Sequence, residues 1–265
     1  MELGGRRFYP IQVAEKGFIV YRLRTHGTAG HGSMPRDDNA AVLAARIVER
    51  LAVPGPGRLT PVMERLFAAV REAAPELTAR LNGAVAAADP AGACDPMVAR
   101  ATSALLRDTV SPNVIQAGVK YNVIPGEAVV ELDVRQLPGT DEPAMREELR
   151  RRIGDELWAA TDVEVVVSGE PVEAPVDTRL YRILADTLRD HDPEAIPVPA
   201  MAPFSTDAKS TGLRLGVPTY GFSPLRMAPG EQFLNRFHGV DERVSLEAPR
   251  FGLPVLYDVV RRFCG

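Results

Sequence analysis

Cysteine is nearly missing from this 265-residue chain. Two residues, Cys94 and Cys264, are too few for a disulfide scaffold and lack the CxxC spacing of a thiolate metal site. Long apolar runs are missing as well: nothing approaches the ~20 residues that a membrane span needs. The first residues carry no secretion-signal pattern, so a cytoplasmic, membrane-free setting is the default expectation. A dominant charge is absent too. A net charge of −4, a pI near 5.7 and no long basic block speak against a nucleic-acid partner. The densest charged stretch, residues 146–152, carries both signs on a helical pattern and reads as a solvated face. There is no HExxH, no GxSxG, no GxxxxGK[ST] loop and no GxGxxG after a strand, which removes the commonest zincin, esterase and nucleotide-binding readings. What remains is ordinary globular material, 45% hydrophobic and 25% charged, with length for one or two cores.

Periodicity organises that material. Residues 17–25 alternate, with Ile19, Tyr21 and Leu23 on one face and Arg22 and Arg24 on the other, as in a half-buried strand. A Gly-rich loop follows over 27–35. Asp37, Asp38 and Asn39 then supply capping chemistry before a helix over about 40–51. Residues 61–108 are Ala- and Leu-rich and predict two or three short helices. Two strands are expected over 114–123 and 128–134, joined at Pro125-Gly126. Asp141 opens a helix that Gly154 closes, and residues 163–167 form another strand. The order strand, helix, helical insert, strand, strand, helix, strand is that of a split βαβ, ferredoxin-like unit. Beyond about 171 the pattern changes. A helix capped by Asp177 leads into a Pro-rich link (Pro193, Pro197, Pro199), and a last helix must accommodate Pro249 and Pro254. The opening residues, 1–7, read as the tail of another element.

Four short motifs carry chemistry, each with two readings. In Gly30-His31-Gly32-Ser33-Met34-Pro35, glycines hold a histidine on a tight exposed loop; it is either a turn residue or a group presented to a ligand. Asn122, in Tyr121-Asn122-Val123-Ile124-Pro125-Gly126, serves either the turn or a substrate carbonyl. Arg135 lies two residues from Asp133 on a polar strand face, as a surface pair or as a guanidinium fork for a carboxylate. His238, in Arg236-Phe237-His238-Gly239-Val240-Asp241-Glu242-Arg243, is a pH-sensitive surface group or a zinc ligand. His26 and His191 read as structural or surface residues.

Taken in this order, the motifs resemble the co-catalytic zinc peptidases of the aminoacylase and carboxypeptidase type. That family includes acetylornithine deacetylase, succinyl-diaminopimelate desuccinylase, glutamate carboxypeptidase and carboxypeptidase S. The likeness runs from Ala14-Glu15-Lys16-Gly17 to Val259-Val260-Arg261-Arg262-Phe263 and is nearest the carboxypeptidase S and acyl-amino-acid hydrolase branch. It implies an α/β (α+β) architecture in which a ferredoxin-like lid and dimerisation domain is inserted in an α/β zinc-peptidase catalytic domain. By resemblance, residues 1–14 are a remnant of the catalytic domain. Residues 15–171 are the lid, with its helical insert at 61–108, and 172–265 are the C-terminal catalytic part.

The resemblance also implies roles. His31 matches a lid histidine that reaches a neighbouring subunit's active site and stabilises the tetrahedral intermediate. Asn122 and Arg135 match lid residues that hold the substrate, Arg135 by its carboxylate. His238 matches a C-terminal zinc ligand. Glu2, in Glu2-Leu3-Gly4-Gly5, corresponds to a ligand in the family's Glu-Gly-Gly-Gly, with Leu3 in place of one glycine. A complete family site holds two zinc ions and cleaves the amide bond of N-acyl amino acids or short peptides with a free carboxylate. The segment with the HxD histidine, bridging aspartate and paired glutamates has no counterpart here. The expectation is thus a truncated catalytic domain, inactive alone, forming a homodimer through the lid. A non-catalytic dimerisation or binding module derived from such an enzyme is the alternative.

Overall fold

The computed structural model describes residues 2–78, 102–226, 240 and 242–265. Cys94, His238 and the stretch 79–101 of the expected helical insert lie outside the described residues. In chain order the strands are β1 (Glu2–Leu3), β2 (Arg6–Glu15), β3 (Gly17–His26), β4 (Gly30–His31), β5 (Thr109–Ala117), β6 (Val123–Ile124), β7 (Glu127–Gln136), β8 (Thr161–Gly169), β9 (Val172–Glu173) and β10 (Ala195–Ala202). Among the described residues the α-helices are α1 (Ala40–Ala52), α2 (Pro61–Ala73), α3 (Glu142–Ile153), α4 (Asp155–Ala159), α5 (Arg179–His191) and α6 (Glu247–Cys264), with a short π-helix at Ser210–Arg214.

One sheet is the ferredoxin-like unit that the order of elements predicts. Its strands run β5-β7-β3-β8, with every neighbouring pair antiparallel. Alternation along β3 and β7 sends Ile19, Tyr21, Leu23, Val130, Leu132 and Val134 to one face, where they meet Leu43, Ile47 and Leu51 of α1 and Met145, Leu149 and Ile153 of α3. Each such side chain contributes about 1.5–3 kcal/mol on burial. The opposite face keeps the charges, including Arg22 paired with Glu131 and Glu164. Asn39 caps α1 by accepting from the Ala41 amide, and Asp141 caps α3 by accepting from Ala144. Gly154, at φ +84°, ends α3 in a conformation that disfavours any side chain.

A second sheet, and an earlier start to β5, refine the expectations for the strands. The opening residues, expected as the tail of another element, enter this second sheet. β1 and β2 form a hairpin turned by Gly4-Gly5, both at positive φ as a primed two-residue turn requires. β2 then runs on as a central strand with Phe8, Ile11, Val13 and Ala14 buried. The Pro-rich link is strand β10, parallel to β2 from Ala195 opposite Arg7 to Ala202 opposite Glu15. Proline cannot donate to a ladder, so it occupies strand positions whose nitrogen faces an open side. Pro197 and Pro199, two apart, share one side of β10, leaving the alternate residues to pair with β2. Finally, the strand expected over 114–123 starts and ends earlier, at Thr109–Ala117, because Gly118 at φ +69° turns the chain there. Thr178, not Asp177, caps α5.

Although 61–108 falls inside the lid in sequence, Val62, Met63, Leu66, Phe67 and Val70 of α2 pack on β2 and β10 in a core shared with α5 and α6. The last helix holds Pro254 in its interior. His191, expected at the surface, is half-buried and pairs with Asp258 at 2.7 Å, tying α5 to α6. Among the described residues, no helix is long and apolar enough to cross a membrane.

Asp192 anchors the start of this sheet. Its buried carboxylate accepts from Arg7 Nε (2.8 Å) and Nη2 (2.6 Å), Tyr9 Oη (2.9 Å) and the Glu194 amide (3.1 Å). The Arg7 hydrogen bonds hold its pKa below the usual carboxylate range. Burial, with the Asp192 bond, pushes the Tyr9 phenol up to about 12. A carboxyl depressed on folding takes up its proton more readily in the unfolded chain, so stability falls as pH drops below ~4. Urea titrations at pH 3, 5 and 7 should show that fall. Asp192→Asn should lower stability by about 2–3 kcal/mol at pH 7 and flatten the acid dependence.

Candidate functional site

The lid presents chemistry at both ends of its sheet. Beyond the His26–Glu127 end, β4 and β6 make a two-stranded ribbon with His31 opposite Val123. The Gly32 amide donates to the Asn122 carbonyl at 2.9 Å. A Cβ on Gly32 would lie 3.2 Å from the Asn122 backbone, so glycine permits this close approach. His31 is exposed, and its Nδ1 accepts from the Ser33 amide (3.2 Å) beside the Ser33 hydroxyl (2.8 Å). An N–H aimed at Nδ1 leaves the neutral ring's proton on Nε2, which makes that nitrogen a hydrogen-bond donor. Asn122 Oδ1 is buried with no hydrogen-bond partner among the described residues. Sequence neighbours in neither case, His31 and Asn122 are brought together by the ribbon.

Arg135 is not with them. It pairs with Phe18 near the far end of β7, eight residues from the β7 residue that faces His26. At about 3.4 Å per residue this separates Arg135 from the ribbon end of the lid by roughly 25 Å. Its guanidinium donates to both oxygens of Asp133 (2.7 and 3.1 Å) and lies 5.7 Å from the centre of the Phe18 ring.

At this second end the chain crosses from one sheet to the other, at Glu15-Lys16-Gly17. A Cβ on Gly17 would meet Pro171 at 2.7 Å and the Gly169 carbonyl at 2.8 Å, so the chain enters and leaves the lid at one point. Glu15 is buried. It accepts from the Thr206 amide (2.8 Å), the Thr206 hydroxyl and, more weakly, Ser205 Oγ (3.4 Å). It thereby fixes the loop Phe204-Ser205-Thr206-Asp207 against the crossover. Lys16 is fully buried, and its three N–H donors meet the carbonyls of Ala104 (2.9 Å) and Arg107 (2.8 Å) and Thr109 Oγ1 (3.2 Å). Burial draws the ammonium pKa down to about 7, with Asp108 opposing.

Glu2 belongs to β1, and its glycine neighbours serve the hairpin turn; its side chain, like all of His238, lies outside the described residues. Among the described residues, no group of three or more His, Cys, Asp or Glu side chains is arranged to hold a metal ion. Among the described residues, the groups placed to orient a ligand are His31 and Asn122 at the ribbon and Arg135 at the far end of β7. Glu15, Lys16, Phe18 and Lys209 were not singled out by spacing. One composition signal was available: the chain has only three lysines, and two of them, Lys16 and Lys209, sit at this junction.

Residues 13–159 match the peptidase dimerisation domain of M20 type. The chain is 27% identical over 268 residues to the N-fatty-acyl-amino acid synthase/hydrolase PM20D1 of Homo sapiens, covering 95% of this chain and 50% of that protein. It is 25% identical over 244 residues to a probable carboxypeptidase S-like protein of Dictyostelium discoideum, covering 89% and 45%. It therefore spans about half the length of the curated relatives it matches. The fold is similar to that of the di-peptidase Dug1p of Saccharomyces cerevisiae (TM-score 0.64, 12% identity, 99% of this chain and 57% of that one). It is also similar to the M20 family metallo-carboxypeptidase Sso-CP2 of Sulfolobus solfataricus (TM-score 0.52, 18% identity, 81% and 58%).

Two substitutions test the crossover. Glu15→Gln places an amide where two Thr206 donors now meet oxygen. We expect a loss of about 1–3 kcal/mol and faster hydrogen exchange at the Thr206 amide. Lys16→Met strands three acceptors and should cost about 2–4 kcal/mol near neutral pH. Because Lys16 binds its proton less tightly folded than unfolded, its contribution to stability rises with pH between about 7 and 10. Denaturation series across that window should show the rise in the wild type and lose it in Lys16→Met.

Proposed function

The chain belongs to the M20 peptidase dimerisation-domain family, and from that membership we propose that it carries the substrate-orienting part of a zinc-dependent amide hydrolase. The substrates are N-acyl amino acids or short peptides with a free carboxylate. Residues 15–171 act as the lid and 172–265 as the C-terminal catalytic part. Arg135 takes the substrate carboxylate, for which a planar two-pronged donor is suited. Asn122 holds the scissile carbonyl, and His31 donates from Nε2 to the oxyanion that develops there. His238 and Glu2 are ligands to different metals of a two-zinc site.

The observation that carries this reading is the separation of Arg135 from the His31–Asn122 ribbon along a single lid sheet. One copy cannot close both on one small substrate, so the groups act together only when the ribbon of one lid reaches the Arg135 end of another copy. That favours a homodimer through the lid. Hydrolysis also needs an activated water and a carboxylate base. The sequence has no counterpart of the family's paired glutamates, so this chain by itself binds without turnover.

Light scattering should give twice the 28.7 kDa chain mass. Calorimetry should show N-acetyl-leucine binding in preference to its amide, with the preference lost in Arg135→Ala. Elemental analysis after desalting should find well below two zinc ions per chain, and no hydrolysis of N-acetyl-leucine should be detectable. Turnover by the chain alone, or two tightly held zinc ions, would sink the proposed division of labour; a monomer would sink the shared site.

A further inference from the structure

The Phe18 ring holds two cations. Arg135 Cζ lies 5.7 Å from its centre and Lys209 Nζ 4.9 Å, both within cation–π range. The first comes from the lid strand β7. The second comes from the short helical segment beyond β10, on the other side of the crossover. Their settings differ. Arg135 is matched by Asp133 through two hydrogen bonds. Lys209 has only a neutral partner, donating to Ser205 Oγ at 3.0 Å, and forms no ion pair among the described residues.

Both cations are held in place by the fold. Gly169 makes room for the ring: a Cβ there would fall 2.5 Å from Phe18 Cε1. Lys209 is held through Ser205, which in turn donates to the buried Glu15 (3.4 Å). Two like charges gathered on one half-buried ring repel each other, and among the described residues Lys209 pairs directly with no anion, Ser205 standing between it and Glu15. An anion in contact with both would offset that repulsion at little ordering cost, because both side chains already rest on the ring.

We propose that Lys209 is a second carboxylate-binding residue, forming with Arg135 a two-cation subsite over Phe18 that spans the lid and the C-terminal part. This rests on the reading of Arg135 as the carboxylate fork and extends it. The ligand class is an acyl amino acid or peptide with a free terminal carboxylate. Recognition by a cation from each side of the crossover makes binding of that carboxylate report, and favour, the lid position in which the two cations share the ring. In a chain that uses arginine almost everywhere, lysine at 209 supplies a compact charge that can rest on the ring while a carboxylate approaches.

The presence of only three lysines makes a direct test practical. With ¹³C at lysine Cε, the full chain gives three side-chain signals, assignable by single Lys→Arg substitutions. Titration with N-acetyl-leucine should move the Lys209 signal saturably and leave exposed Lys120 in place, while N-acetyl-leucinamide should move neither. Lys209→Met should weaken N-acetyl-leucine binding at least tenfold by calorimetry, and Lys209→Arg should restore it to within about threefold. A saturable shift at Arg135 or Asn122 amides with Lys209 unmoved would overturn the role of Lys209 and leave the Arg135 assignment standing. Equal binding of acid and amide, or of neither, would overturn both. The titration on unsubstituted protein stays decisive should Lys209→Met fail to fold.

Discussion

Everything in this molecule turns on three residues at which one strand stops belonging to one sheet and starts belonging to another. Glu15 and Lys16 are adjacent, of opposite charge and both buried. Removing such ions from water costs several kcal/mol each unless hydrogen bonds replace the lost hydration. They do not pair with each other to meet that cost. Lys16 uses all three donors on the segment returning from the helical insert, and Glu15 takes the loop that follows β10. The crossover is thereby stitched to both halves of the structure, and Gly17 lets the departing chain press against the returning one.

This arrangement links the lid to ligand chemistry. Because β3 starts at the crossover and pairs with the end of β7, Phe18 and Arg135 stand at the lid's base, next to the loop that Glu15 holds. The same antiparallel sheet carries His31 and Asn122 to its other end. A rigid four-stranded sheet cannot fold back on itself to unite them. On the proposed reading, in which these groups act on one substrate, a second copy must bring them together.

Legibility in the sequence followed the physics of each element. β3, β7, α1 and α3 were readable because each has one buried and one solvated face, so periodicity and capping residues appear directly in the residue order. β2 and β10 were not readable. A strand covered on both faces shows no alternation, and Pro197 and Pro199 look like linker chemistry until an open side of β10 explains them. The motifs around His31, Asn122 and Arg135 were recognisable as candidates, but strand register alone separates the first two from the third. Lys209 and Phe18 carried no motif; their partnership is a contact between segments almost two hundred residues apart.

The sequence by itself determined the family, the ferredoxin-like order of elements, and which side chains could present a donor or a cation, because these depend on residue type and local spacing. Only the tertiary structure decided that α2 packs with the second sheet, that the Pro-rich segment is a parallel strand, and that the candidate binding groups lie at opposite ends of one lid. Those outcomes are fixed by long-range pairing and burial. Their free energy comes from contacts between distant segments, and no local window of the chain contains them.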